Sequence, residues 1–190
     1  MPRGLLVVVS GPSGVGKDSV LERLFKRDLG LRYSVSYTTR KPRAGEIEGA
    51  DYTFVNDAEF DRMVAARDFL EWASVHGHRS GTARWRVEEA LAAGHDIVLN
   101  IDVQGGMSVR RLMPEALLIF LAPPSREELR RRLAARATEG ADEIARRQAD
   151  AEIEMGYSDQ YDAVVVNDDR DRAADEVLAL IQERRRGESA

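Results

Sequence analysis

Apolar residues come in short runs separated by stretches where they recur every three or four positions. The run Leu5-Leu6-Val7-Val8-Val9 predicts a strand buried on both faces. After it, Val20, Leu21, Leu24 and Phe25 fall at helical spacing and predict a helix over about Gly16–Asp28. Further strands are expected at Ile97–Ile101, Leu117–Leu121 and Ala163–Val166, each preceded by a helical pattern at Ala83–Ala93, Gly106–Met113 and Asp142–Met155 respectively. Asn56 with Glu59, and Ser125 with Glu128, have capping-box spacing and open helices running to about Arg67 and Arg136. A last helix spans about Arg172–Arg185, with Arg184–Ala190 expected as a frayed tail. Alternation of this kind implies an α/β domain, a parallel sheet covered by helices on both faces.

Two stretches break the rhythm. Residues 33–82 carry short alternating segments, among them Tyr33–Tyr37 and Tyr52–Val55, and read as a small, partly antiparallel insertion with one helix. Residues 137–143 are polar and flanked by arginine-rich helices, which suits a mobile lid. Ligands of open parallel sheets bind outside the C-terminal strand ends, so the segment after Val9 is the first place to look for chemistry.

That segment reads Gly11-Pro12-Ser13-Gly14-Val15-Gly16-Lys17, the phosphate-loop pattern G-x-x-x-x-G-K between a buried strand and a helix start. Glycines let successive backbone N–H groups turn inward as an anion cradle, and the helix N-terminus adds its positive end. Lys17 brings a point charge to the β- and γ-phosphates. Where a magnesium-ligating hydroxyl normally follows the lysine, this chain has Asp18, with Ser19 after it. A plain glycine-rich turn is the alternative reading.

Bulk properties narrow the setting. The 190 residues suffice for one substantial core. A net charge of −5 gives no basic balance of the kind that accompanies general nucleic-acid binding. Cysteine is absent, which excludes disulfides and thiolate zinc sites, and His76, His78 and His95 alone are a weak metal set. No apolar run approaches the length of a membrane span, and strand-like residues begin directly after Met1–Gly4, so a cytoplasmic protein is expected. Among 28 basic residues only Lys17, Lys26 and Lys41 are lysines, so an arginine counts as functional only with motif support.

Such support exists in Ser34-Val-Ser36-Tyr-Thr-Thr-Arg40-Lys-Pro-Arg43-Ala-Gly-Glu46, where two arginines three residues apart form a fork matched to a phosphate. Gly49-Ala-Asp-Tyr52, Leu70-Glu71-Trp72, Leu99-Asn-Ile-Asp102-Val-Gln-Gly105, Ala122-Pro-Pro-Ser125 and Val166-Asn167-Asp168 follow. On these motifs the chain, from Leu5 to about Leu180, resembles the guanylate kinases. The resemblance implies a P-loop nucleoside-monophosphate-kinase fold with a small mixed α+β insertion and a lid. It also implies magnesium-dependent phosphoryl transfer from ATP to GMP, and to dGMP, in purine nucleotide metabolism. The corresponding organisation is a core of residues 1–32 and 83–190, a GMP-binding insertion of residues 33–82 and a lid at about 130–147. The expected partners are the two small-molecule substrates, with neither nucleic acid nor membrane, and the protein a monomer or homodimer.

Carried over by matching position, Gly11 through Ser19 and Asn167 would hold ATP, with Asp18 toward the metal. Arg40, Arg43 and Tyr52 would hold the GMP phosphate. Glu71 and Asp102 would accept from the guanine N1–H and 2-amino group, with Ser36 and Thr82 also at the base. Lys17, Arg40, Arg132, Arg136 and Arg147 would act on the transferring group. The arginines near 126–147 have a solvated helix face as their alternative, and Trp72 and Trp85 read as packing residues. The chain departs from the family pattern at Asp18, at Ser80 (usually a tyrosine, with Arg79 alongside as a substitute) and at Asn100 (usually an aspartate). Two rival readings stay open: a ribose 1,5-bisphosphate phosphokinase-like enzyme, and a catalytically silent guanylate-kinase-like binding module.

Overall fold

The apolar runs form the central sheet. In the computed structural model, which describes residues 3–75, 77–135 and 141–188, strand β1 (Leu6–Ser10) is buried throughout. The chain continues with α1 (Lys17–Arg27), β2 (Arg32–Tyr33), β3 (Ser36–Thr38), β4 (Tyr52–Phe54), α2 (Asp57–Ala66), β5 (Phe69–Val75), β6 (His78–Ala83) and α3 (Arg84–Ala92). It ends with β7 (Ile97–Asn100), α4 (Val103–Leu112), β8 (Leu117–Ala122), α5 (Arg126–Ala135), α6 (Ala141–Met155), β9 (Ala163–Val166) and α7 (Arg170–Glu188). Strands β2, β7, β1, β8 and β9 lie side by side in that order, all parallel. Successive side chains of β1 point to opposite faces, so one strand feeds two cores. Val7 and Val9 pack with Val20, Leu24, Val177 and Ile181 of α1 and α7. Leu6 and Val8 pack with Val87, Leu91, Val103 and Met107 of α3 and α4.

A second sheet, in the order β4-β3-β6-β5, is built from the stretch that broke the rhythm. Strands β3 and β4 are parallel, whereas β6 runs antiparallel to both β3 and β5. The alternating run at 33–37 divides between the sheets. Tyr33 pairs with Val98 in the central sheet, while Tyr37 pairs with Gly81 in the second.

Two boundaries and one cap differ from the sequence expectation, each for a local reason. Helix α4 begins at Val103 rather than Gly106, because the Asp102 carboxylate accepts from the Gly105 N–H and caps the helix. At α5 the Ser125 hydroxyl accepts from the Glu128 N–H, but the Glu128 side chain turns to Arg131 and Arg132 instead of closing the box. The last helix runs to Glu188 rather than fraying from Arg184. There Arg185 donates to Asp28 at 2.9 Å and to Asp96, tying α7 to the end of α1 and the start of β7. Trp72 and Trp85, expected as packing residues, are 45% and 47% exposed. No helix among the described residues is long and apolar enough to cross a membrane.

Candidate active site

At the C-terminal edge of the central sheet, β1 gives way to the loop 11–16, and α1 starts at Lys17. Gly16 caps the helix at φ 97°, in the left-handed region, and a Cβ there would meet the Asn167 amide at 2.8 Å. Only glycine fits. The loop is braced from outside. Asn167, buried after β9, donates to the Val15 carbonyl at 2.7 Å. Arg132 of α5 donates to the same carbonyl and to the Asn167 carbonyl, both at 3.2 Å, while Glu128 holds its Nε. Lys17 Nζ donates to the Gly11 carbonyl at 2.7 Å, arched back over the loop. Glu154 of α6 accepts from the Ser13 N–H at 3.2 Å, and burial raises its pKa.

A cleft of about 570 Å³ opens from this loop. It brings together Gly11, Ser13, Gly14, Gly16, Lys17 and Asp18 on one side with Ser36, Tyr52, Glu71 and Asp102 on the other. Pro12, Val15, Ser19 and Asn167 are not among the residues lining it. Glu71 is 6% exposed. Its Oε1 accepts from the Thr82 hydroxyl at 2.5 Å, and its Oε2 lies where a Cβ on Gly105 would be 2.7 Å away. Burial pushes its pKa up to about 7, with the Asp102 charge adding to the rise and Thr82 opposing it. Thr82 is fully buried, its hydroxyl engaged by Glu71.

A neighbouring cavity of about 360 Å³ is lined by Arg40, Arg43, Glu46, Tyr52, Asp18 and Asn100. Arg40 lies 4.6 Å over the Tyr52 ring and donates both terminal nitrogens to Glu46 at 2.6 Å. Glu46 also accepts from the Arg43 N–H at 2.7 Å, and the Arg40 guanidinium holds its carboxyl down at about 2. Tyr52 is shifted up, first by burial and then by the Asp18 charge.

Several placements lie apart from the sequence reading. Arg79, a candidate substitute beside Ser80, lies over the Phe60 ring and pairs with Asp57 and Asp61 of α2, so it does not replace a tyrosine in the site. Arg132 braces the loop rather than lining either cavity, and Arg147 is half-buried on α6. Arg136, His76 and residues 137–140 of the 137–143 stretch lie outside the described residues. Sequence reasoning missed Glu46 and Glu154. The first had a signal, six residues after Arg40 and three after Arg43. The second had none, since it meets a loop 141 residues away.

Magnesium commonly takes one or two protein carboxylates and completes its shell with substrate phosphates and water. Among the described residues no three acidic or histidine side chains form a self-contained metal cage. Asp18 nevertheless offers carboxylate oxygen between the two cavities, and neither lining contains histidine. This oxygen-only set fits a hard cation shared with phosphates.

Comparison with known proteins agrees with this geometry. The family model described as guanylate kinase matches residues 3–184. A guanylate kinase of Nocardia farcinica is 51% identical over 180 residues, covering 94% of this chain and 93% of that protein. One from Thermobifida fusca is 51% identical over 176 residues, covering 93% and 90%. The crystal structure of guanylate kinase from Anaplasma phagocytophilum superposes with a TM-score of 0.78 at 34% identity, over 96% of this chain and 86% of that one. A braced phosphate loop shares its cleft with Glu71 and Asp102, and the family model and relatives match nearly the whole length: the chain belongs to the guanylate kinases.

Proposed function

We propose that the protein transfers the terminal phosphoryl group of ATP to GMP, and to dGMP, as a cytoplasmic enzyme of purine nucleotide metabolism. One observation carries this reading: Glu71 and Asp102 face the same cleft as Lys17 and the phosphate loop. Guanine presents an N1–H and a 2-amino group as donors, and carboxylates accept from both. Adenine lacks that face and would leave a buried acceptor unpaired, which discriminates strongly.

The division of labour follows from position. Loop N–H groups and the α1 N-terminus hold the triphosphate. Lys17 leaves the Gly11 carbonyl for the transferring group. Arg40, oriented by Glu46 and stacked on Tyr52, holds the acceptor phosphate together with Arg43. Asp18 holds magnesium, which when bound neutralises phosphate charge. Residues 33–82 serve as the GMP domain, with a lid at about 130–147 contributing Arg136 and Arg147. Positioning and charge stabilisation carry the rate, since phosphoryl transfer needs little covalent help from the protein.

The test is a coupled ADP-release assay with GMP, dGMP, AMP, UMP and ribose 1,5-bisphosphate as acceptors, with magnesium present and then chelated. Turnover with the two guanine nucleotides, lost on chelation, is expected. Preference for the sugar phosphate, or no turnover with any acceptor, overturns the reading.

A further inference from the structure

The two cavities share three lining residues: Asp18, Tyr52 and Asn100. Asp18 and Asn100 are hydrogen-bonded to each other, Asn100 Nδ2 donating to Asp18 Oδ1 at 2.7 Å across 82 residues of sequence. The contact follows from topology. Asn100 closes β7 beside Val9 of β1, and Asp18 follows the loop that β1 feeds, so both project from the same sheet edge. Tyr33 also lines the smaller cavity, alongside this pair.

The pair stands where the two cavities meet, which in the proposed function is where the phosphoryl group passes. Carboxylate charge there repels phosphate unless a cation lies between them. Arg40 is already engaged bidentately by Glu46, so it does not neutralise Asp18. The chemistry of the partner is informative. An amide donates to one carboxylate oxygen and leaves the charge intact. A cationic partner would cancel that charge, and a second carboxylate would double it. Asn100 therefore orients Asp18 and leaves its other oxygen for a ligand.

We propose that Asn100 is a positioning residue for Asp18, and that the two form one unit carrying a single negative charge, placed to hold the nucleotide's divalent cation between the cavities. This rests on the reading of Asp18 as a magnesium ligand. Partners that orient metal ligands are worth about ten- to a hundredfold in metal affinity. The unit is also transposable: with asparagine at 18 and aspartate at 100, the hydrogen bond reverses and the charge count is unchanged.

The test is calorimetric binding of ATP, with magnesium and with chelator, to the wild type and to Asp18→Asn, Asn100→Ala, Asp18→Asn/Asn100→Ala and Asp18→Asn/Asn100→Asp proteins. The quantity read is the gain in ATP affinity that magnesium confers. Retained metal-free binding shows that each variant is folded at the loop. Asp18→Asn should lose about tenfold or more of that gain, and Asn100→Ala should lose a comparable share. Their combination should be no worse than Asp18→Asn alone, the non-additivity expected of one unit. The transposed variant should recover the gain to within about threefold of wild type, because the hydrogen bond and the single charge are both kept. If Asp18→Asn loses the gain while Asn100→Ala keeps it, or if the transposed variant behaves like Asp18→Asn, the inference is overturned and the metal reading stands. If the wild type shows no gain from magnesium, the metal reading fails and takes the inference with it.

Discussion

In the proposed mechanism Lys17 acts on the transferring group. Its ammonium donates to the Gly11 carbonyl. Lys17→Ala should lower kcat by about a hundredfold or more, the scale of losing a preorganised charge contact. The melting temperature should barely move, because the side chain supports no core. Near-normal turnover would contradict the mechanism. Glu71 carries a different signature. Its pKa is raised to about 7 by burial, against an ordinary value of 4.5. The folded state therefore binds a proton that the unfolded chain has released, and stability falls as pH rises from about 4.5 through about 7. The full swing is roughly 3 kcal/mol, at about 1.4 kcal/mol per unit. Guanine donors prefer the ionised form, so GMP affinity should rise over the interval in which the free protein loses stability. Glu71→Gln removes the titration. It should stabilise the unliganded protein more at pH 8 than at pH 5, raise the GMP KM and flatten its pH dependence, and leave the ATP KM unchanged. Thermal melts at both pH values and steady-state kinetics read these effects. Equal damage to GMP and ATP binding would make Glu71 structural only.

At the scale of elements, the site depends on where α4 begins. Asp102 caps that helix through the Gly105 N–H, and Gly105 lets the first turn approach the Glu71 carboxylate. A Cβ at 105 would stand 2.7 Å from Glu71 Oε2 and 3.2 Å from its Cδ, so the buried carboxylate must move. Gly105→Ala should raise the GMP KM about tenfold or more, since displacements near 1 Å in positioned groups weigh heavily. The ATP KM should stay put, and kinetics with each substrate varied in turn decide it. The position of α4 also shows what a sequence reveals. Strands such as Leu117–Ala122 were legible because parallel strands buried on both faces are continuous apolar runs. The phosphate loop was legible because its chemistry is local, and so was the placing of Arg40 and Arg43 along one cavity. By contrast, the α4 start was hidden, because nothing in Val103–Gly105 is periodic. The split of Tyr33 and Tyr37 between sheets was hidden as well, since alternation names a strand without naming its partner. The Asp18–Asn100 and Ser13–Glu154 contacts, 82 and 141 residues apart, exist only once the sheet order is fixed.

Across the whole molecule, the site is held from the opposite end of the sheet. Helix α7 packs along α1, the helix that begins at Lys17, through Ala173, Ala174, Val177 and Ile181. Surface pairs run beside that seam: Arg23 and Arg27 with Asp171, and Arg27 with Asp175. These are exposed enough that each contributes little. Arg185 differs because it bridges two carboxylates, Asp28 at 20% and Asp96 at 14% side-chain exposure. The other oxygen of Asp96 accepts from the Leu5 N–H at 2.6 Å, at the start of β1. One guanidinium therefore joins the end of α1, the lead into β7 and the strand that feeds the phosphate loop. Removing it leaves two partly buried carboxylates facing each other without their cation. Arg185→Ala should destabilise the protein by about 2 kcal/mol, the scale of breaking a partly buried charged network. For a chain of this size that is a drop of roughly 4–8 °C in melting temperature. Arg185→Lys should recover only part of it, since an ammonium cannot reach both carboxylates in a planar fork. Because the residue lies at the far end of α1 from Lys17, kcat and both KM values measured well below the melting transition should match the wild type. Calorimetry and steady-state assays on the same preparations separate the outcomes. An unchanged melting temperature would mean that the network is surface decoration, whereas altered kinetics in a fully folded variant would mean that the far end of α1 sets the geometry of the loop.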